Sequence, residues 1–250
     1  MAVAWLVAAC ALLQSSATGK HADIFGEEEA VKRAVKDADA AGERFREIFG
    51  VAPVKVAVIL QKDGKPLPDT KADQACYKNG AKFIFRWEKK PGYDEMTHEL
   101  GHLWLLVWID GLPKAPPREP RYGSTLPDWA DEGVATLFDD EAMRARYRVD
   151  MRKYLSGKVP SLDELFDSVH PESRQPGAEE RRAKDRWLFY CQTNSVMEYV
   201  LEKHGAESLR HVIATLKKGK GMAPALGAKG LPKTVEELEK AWREWASAEQ

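Results

Sequence analysis

Long hydrophobic runs are missing from this 250-residue chain. The longest uncharged apolar stretch, MAVAWLVAACALL at positions 1–13, is shorter than the roughly 20 residues a membrane-spanning helix needs. No transmembrane span is expected in the mature chain. A charge excess is missing too. The 38 Lys and Arg nearly balance the 39 Asp and Glu, for a net charge of −1. No basic stripe with interleaved aromatics appears, so nothing points to nucleic acid. The run Lys217-Lys218-Gly219-Lys220 reads as solvated surface or turn. Cysteine is scarce, with only Cys10, Cys76 and Cys191, too few to define a disulfide framework. No internal repeat or low-complexity segment stands out. What is left is ordinary: 44% hydrophobic and 31% charged residues, a soluble globular mix long enough for one or two domains.

The first 20 residues differ in kind. The apolar run leads into Ser15-Ser16-Ala17, a small-x-small site, as in a secretory signal peptide. The positive n-region is absent, as it would be had the start codon been placed a few residues late. Val7-Ala8-Ala9-Cys10 also resembles a lipobox, with Cys10 as the lipid-bearing residue. The plain alternatives are a buried N-terminal helix and a cytoplasmic chain with a misassigned start. The expectation is a leader over 1–20, one domain over 21–250, and a secreted or periplasmic protein. Removing the leader leaves Cys76 and Cys191, either one disulfide or two free thiols.

The pattern predicts α+β architecture. A helix over Glu27 to Phe49 follows from apolar residues at helical spacing, and Gly50 ends it. Val54, Val56, Val58 and Leu60 alternate as a well-buried strand. Asn79-Gly80 predicts a hairpin whose second strand runs from Ala81 to Trp87. A helix then runs from Asp94 to Ile109. Leu112 to Thr125 holds four of the 14 prolines and reads as an irregular loop. Further helices are expected near 128–138, 141–155, 161–166 (with Ser161 and Glu164 in capping-box spacing), 186–203, 207–216 and 234–248. The polar run 169–183 reads as a mobile loop. The expected layout is a small β-hairpin or sheet packed on the helix of 94–109, then a mostly helical part over 139–250.

That helix carries His98-Glu99-Leu100-Gly101-His102. Residues four apart lie one turn above each other, so His98 and His102 project from one face and can share a metal. Glu99 sits beside the first histidine, within reach of a water on that metal. The plain alternative is two surface histidines, which the apolar Leu103, Trp104, Leu106, Val107 and Trp108 disfavour. Catalytic zinc takes three protein ligands and keeps one position for water. Glu132, 30 residues after His102, offers the third. Asp131 competes with it, and periodicity does not separate the two. Gly133 permits a close backbone approach beside it.

HELGH followed by Leu126-Pro127-Asp128-Trp129-Ala130-Asp131-Glu132-Gly133-Val134-Ala135 resembles the gluzincin metallopeptidases, and above all the bacterial peptidase MA-like proteins with their Trp-x-x-Glu-Gly-x-Ala motif. The resemblance implies a thermolysin-like catalytic core, one zinc ion, and Glu132 rather than Asp131 as third ligand. It continues softly through Tyr190-Cys191-Gln192-Thr193 to Tyr199 and through Leu238-Glu239-Lys240-Ala241-Trp242, covering about Val54 to Trp245. One departure is Thr136, four residues after Glu132, where thermolysin-like enzymes often carry an acid that orients a zinc histidine; Asp139 and Asp140 are nearby substitutes.

The chemistry implied is peptide hydrolysis. Glu99 is the general base for a zinc-activated water, and Tyr190 is a donor to the oxyanion, unless it is a plain core tyrosine. His170, His204 and His211 are other donors in principle, but each is expected at the surface. The strand from Ala81 to Phe85 precedes the zinc helix, as the substrate-pairing edge strand does in gluzincins, so the resemblance implies pairing with a peptide or protein substrate, unless it is a plain sheet strand. Two other functions compete: a zinc hydrolase of a non-peptide or cell-wall amide, and a scaffold with a structural zinc, against which an intact Glu99 argues.

Overall fold

The computed structural model describes residues 15–26, 28–61, 83–88, 96–111, 124–171 and 179–248. Four strands form one sheet in the order β1 (Ser15–Thr18), β2 (Ala22–Gly26), β3 (Val56–Gln61), β4 (Phe83–Glu88). β1 and β2 are antiparallel, joined by a tight turn over 19–21 in which the Gly19 amide donates to the Ala22 carbonyl at 2.8 Å. β2 and β3 are parallel, with Ala22 opposite Val56, because helix α1 (Glu28–Phe49) carries the chain back between them. α1 buries Val31, Ala34, Ala38, Ala41, Phe45 and Ile48, one face at helical spacing, against β1, β2 and the helices beyond. Val56, Ala57 and Val58 are all buried, so both faces of β3 are covered, as its near-continuous apolar run requires.

Two expectations change here. Ser15–Thr18, assigned above to a leader, forms the edge strand β1; residues 1–14 lie outside the described residues. The Asn79-Gly80 turn and the arm before it also lie outside them. The expected second arm is present as β4, and it runs parallel to β3, with Val56 opposite Phe83.

α2 (Met96–Asp110) packs against α1 and the segment after Pro127. It buries Leu100, Leu103, Trp104, Leu105 and Ile109. Trp104 stacks edge-on against Phe45 at 5.8 Å, and its indole N–H donates to the Val54 carbonyl at 3.1 Å. Truncating such a side chain to alanine costs about 3–5 kcal/mol. α3 (Asp128–Ala135) follows Pro127 and runs into a 3-10 turn at Thr136–Phe138. α4 (Glu141–Leu155) is capped by Asp140, whose carboxylate accepts from the Met143 amide. α5 (Leu162–Phe166) has the Ser161–Glu164 capping box that its sequence spells.

α6 (Glu179–Leu216) starts earlier than expected and consists of two helical runs that break at Gly205 (φ 83°, ψ 169°), in line with the separate helices expected over 186–203 and 207–216. The expected loop over 169–183 therefore ends at Glu179. Glu, Arg, Ala and Lys fill the segment that follows, and these are strong helix formers whatever their polarity. α7 (Val235–Ser247), capped by Thr234, closes the chain. The buried side chains form one cluster reaching from Ala22 to Ala246. This is an α+β arrangement. Among the described residues no helix is long and apolar enough to cross a membrane. Cys191 is a buried free thiol, and Cys76 lies outside the described residues.

Candidate metal centre

α2 and α3 meet at backbone distance. A Cβ on Gly101 would lie 2.6 Å from the Phe138 ring and 3.1 Å from the Ala135 Cα. A Cβ on Gly133 would lie 2.9 Å from the Thr193 carbonyl oxygen of α6. α3 is thus held between α2 and α6 with no room for side chains at either crossing. That closeness brings Glu132 against the histidines of α2. The close approach expected at Gly133 is present, and Gly101 supplies its counterpart.

Three ligand atoms converge. His98 Nε2 lies 3.2 Å from Glu132 Oε2 and 3.2 Å from His102 Nε2, and His102 Nε2 lies 3.4 Å from Glu132 Oε2. The result is a near-equilateral triangle of lone-pair atoms on largely buried side chains. A group of this kind can hold a metal ion.

Carboxylates fix both imidazoles from behind. Asp139 Oδ1 lies 3.2 Å from His98 Nδ1. An ionised carboxylate only accepts, so the proton belongs on Nδ1 and the Nε2 lone pair faces the centre. Asp139 is held in turn by the Tyr147 hydroxyl, which donates to its Oδ2 at 2.8 Å. Burial, and then the Asp139 charge, push the Tyr147 phenol well above its ordinary range, so it remains a donor. On the other ring, Asp131 Oδ2 lies 3.2 Å from His102 Nδ1, off the N–H line, so the contact is electrostatic and not a hydrogen bond. Asp131 accepts from the Ser124 amide and hydroxyl. Asp131 and Glu132 thus have different places: Glu132 is in the triangle, Asp131 behind a histidine. Thr136 cannot do what an acid would at its position; its hydroxyl donates to the Gly133 carbonyl at 2.8 Å and accepts from Asn194. The 3-10 turn after it swings Asp139, seven residues past Glu132, into that role. Asp140 goes to the cap of α4 instead.

Three carboxylates against two imidazoles make the site demand positive charge. Burial pulls the His98 pKa down, but the Asp139 and Glu132 carboxylates overcome it and push it up to about 10. His102 is raised in the same way, against burial, by Glu132 and Asp131. Burial raises Glu132, yet the two histidines hold it well below its usual value. Protons on the imidazoles meet the demand when no cation does.

Glu99 is half-buried on the adjacent face of α2 and makes no hydrogen bond or ion pair among the described residues. Tyr190, on α6, packs edge-on against the His98 ring at 5.9 Å. His170, a donor in principle from its sequence, stands closer to the cluster than a surface histidine would. Expected at the surface, it is half-buried, with Nε2 3.0 Å from the Tyr190 hydroxyl and 3.5 Å from Glu132 Oε1. Its amide donates to Asp128 Oδ2 at 2.6 Å, which ties it to the start of α3. No periodicity marks a lone histidine in an irregular segment; only the nearby Tyr190 could have drawn notice to it. His204 lies against the Tyr199 hydroxyl instead.

No protein family model matches this chain. No curated protein matches it either.

Proposed function

We propose that this protein is a zinc-dependent peptidase with a gluzincin-like core, in which His98, His102 and Glu132 hold the metal. The supporting observation is the triangle of ligand atoms. Bonds of about 2.05 Å at tetrahedral angles put neighbouring ligand atoms about 3.3 Å apart, and the edges here are 3.2, 3.2 and 3.4 Å. Two imidazoles and one carboxylate are a donor set that suits zinc. When bound, zinc supplies Lewis acidity and lowers the pKa of a coordinated water to about 7.

The chain's own groups supply the rest. Glu99, with no partner among the described residues, takes a proton from the attacking water and returns it to the leaving nitrogen. Tyr190 and His170 stand together beside the cluster and donate toward the substrate carbonyl oxygen as it gains charge. Asp139 and Asp131 keep the two imidazoles in register. A structural zinc site has no use for a free carboxylate beside the metal, which favours catalysis over scaffolding. The sequence resemblance to peptidase MA-like proteins agrees with this reading.

The test measures zinc per chain and peptide hydrolysis for wild type, Glu99→Gln and Glu132→Ala. Wild type should hold one zinc and cleave peptides from a mixed library. Glu99→Gln should keep the zinc and lose activity by about 10²–10⁴-fold. Zinc-free wild type after reconstitution, or an active Glu99→Gln, would sink the proposal. We propose export as well; cleavage after Ala17 would remove three of the four residues of β1 and leave β2 as the edge of the sheet. Sequencing the mature N-terminus decides it: a chain still starting at Met1 overturns export.

A further inference from the structure

A cleft of about 580 Å³ opens between α1, the first turn of α2 and the start of α4. That volume lies within the range of small-molecule sites. The three converging metal-ligand atoms do not line it. Much of its wall is apolar, with Ala34, Ala41, Leu60, Met96 and Phe138.

Charged groups on this wall are matched, with one exception. Asp37 pairs with Arg33. Asp139 holds His98 and Tyr147, and Asp140 caps α4. Glu141 pairs with Arg144 and Arg148. Arg144 also donates to the carbonyls of Leu137 and Asp139. Arg44 stands apart. Its Nε is buried with no hydrogen-bond partner, and the guanidinium forms no ion pair among the described residues. Burial, and then the Arg144 charge, lower its pKa against the smaller opposing pull of Glu198, Glu141 and Glu47, none of which forms an ion pair with it. A guanidinium is a planar fork that fits a carboxylate with two parallel hydrogen bonds.

We propose that this cleft binds a small carboxylic acid with an apolar body, its carboxylate on Arg44 and its chain against Leu60, Met96 and Phe138. A monoanion fits better than a phosphate dianion, because Asp37, Asp140 and Glu141 on the same wall repel the second charge. The proposal stands whether or not the neighbouring metal site is a peptidase.

Isothermal titration of the full chain with decanoate tests it, with decanol and inorganic phosphate as controls. Decanoate should bind one per chain and decanol at least tenfold more weakly. Arg44→Gln should weaken decanoate at least tenfold with the far-ultraviolet spectrum unchanged. Ala40→Trp, on the exposed rim, should block the cleft without touching the core. Absence of decanoate binding, equal affinity for decanol, tighter phosphate binding, or undiminished binding in both variants would each overturn the assignment.

Discussion

Two buried charge clusters among the described residues are built in opposite ways. Between α4 and α6, Glu198 is almost fully buried, with both carboxylate oxygens within 3.1–3.3 Å of the Arg148 guanidinium. Arg144 approaches from the side at 3.9 Å, and both arginines reach out to Glu141. Donors and acceptors alternate, so the chain neutralises itself. In the metal centre, two imidazole nitrogens and a carboxylate oxygen aim at one point, and further carboxylates stand behind them. Acceptors facing acceptors repel unless a cation or protons lie between them. The first network is complete as folded; the second needs bound protons or a cation to balance it.

The largest expected effect exploits that difference. Zinc at a thousand times its dissociation constant should stabilise the folded chain by about 4 kcal/mol. Glu132→Ala should abolish nearly all of this shift in a thermal melt. A wild-type melt indifferent to zinc would erase the contrast. The self-contained network gives the converse. Glu198→Ala strands Arg148 and Arg144 without their buried partner and should cost roughly 3 kcal/mol, at the low end for a buried pair because Arg148 keeps some solvent. Its zinc-induced shift should match that of wild type. A Glu198→Ala protein as stable as its parent would mean that the network is surface decoration.

The two regions also differed in how far sequence could reach them. The spacing in HELGH states that two histidines share a helical face, and Ser161 with Glu164 states a cap; both depend on residues within one turn. α4 begins and ends where its pattern says, at Glu141 and Leu155. Whatever depends on the path between elements was hidden. The parallel pairing of β3 and β4 depends on a crossover, and alternation of Val56 and Val58 reads the same in either direction. Asp139 takes its place because a 3-10 turn, not a continued helix, follows Ala135. His170 arrives from an irregular segment that carries no period at all. Asp131 could not be told from Glu132 by pattern, since one residue is only 100° around the helix; the contact with Ser124 and His102 separates them.

A smaller effect separates the two supporting carboxylates. Asp139→Asn keeps an acceptor for His98 or Tyr147 but removes the charge. Zinc affinity, measured against a competing chelator, should fall by about 10–100-fold. Asp131 contacts its histidine off the N–H line, so Asp131→Asn should cost only several-fold. Equal losses would show that charge alone, and not the hydrogen bond, does the orienting.

The smallest effect is a slope in pH, and its sign differs with and without zinc. In the metal-free chain, Asp139 and Glu132 outweigh burial and lift His98 from 6.5 to about 10. A raised pKa stabilises fully below 6.5 and is lost as pH rises toward 10. Glu132 is held below 4.5 by the histidines against burial, so its contribution is present above 4.5 and is lost as pH falls through its lowered pKa. Stability from this cluster should therefore be greatest between about 4.5 and 6.5. Zinc must displace the protons on His98 and His102, so its affinity rises with pH. Melts with and without zinc should then diverge from about pH 6 to pH 8, the metal-free curve falling while the zinc-induced shift grows. A shift that stays flat across that range would mean that the imidazoles carry no protons to displace, and that Asp139 and Asp131 do not hold the cluster as their distances imply.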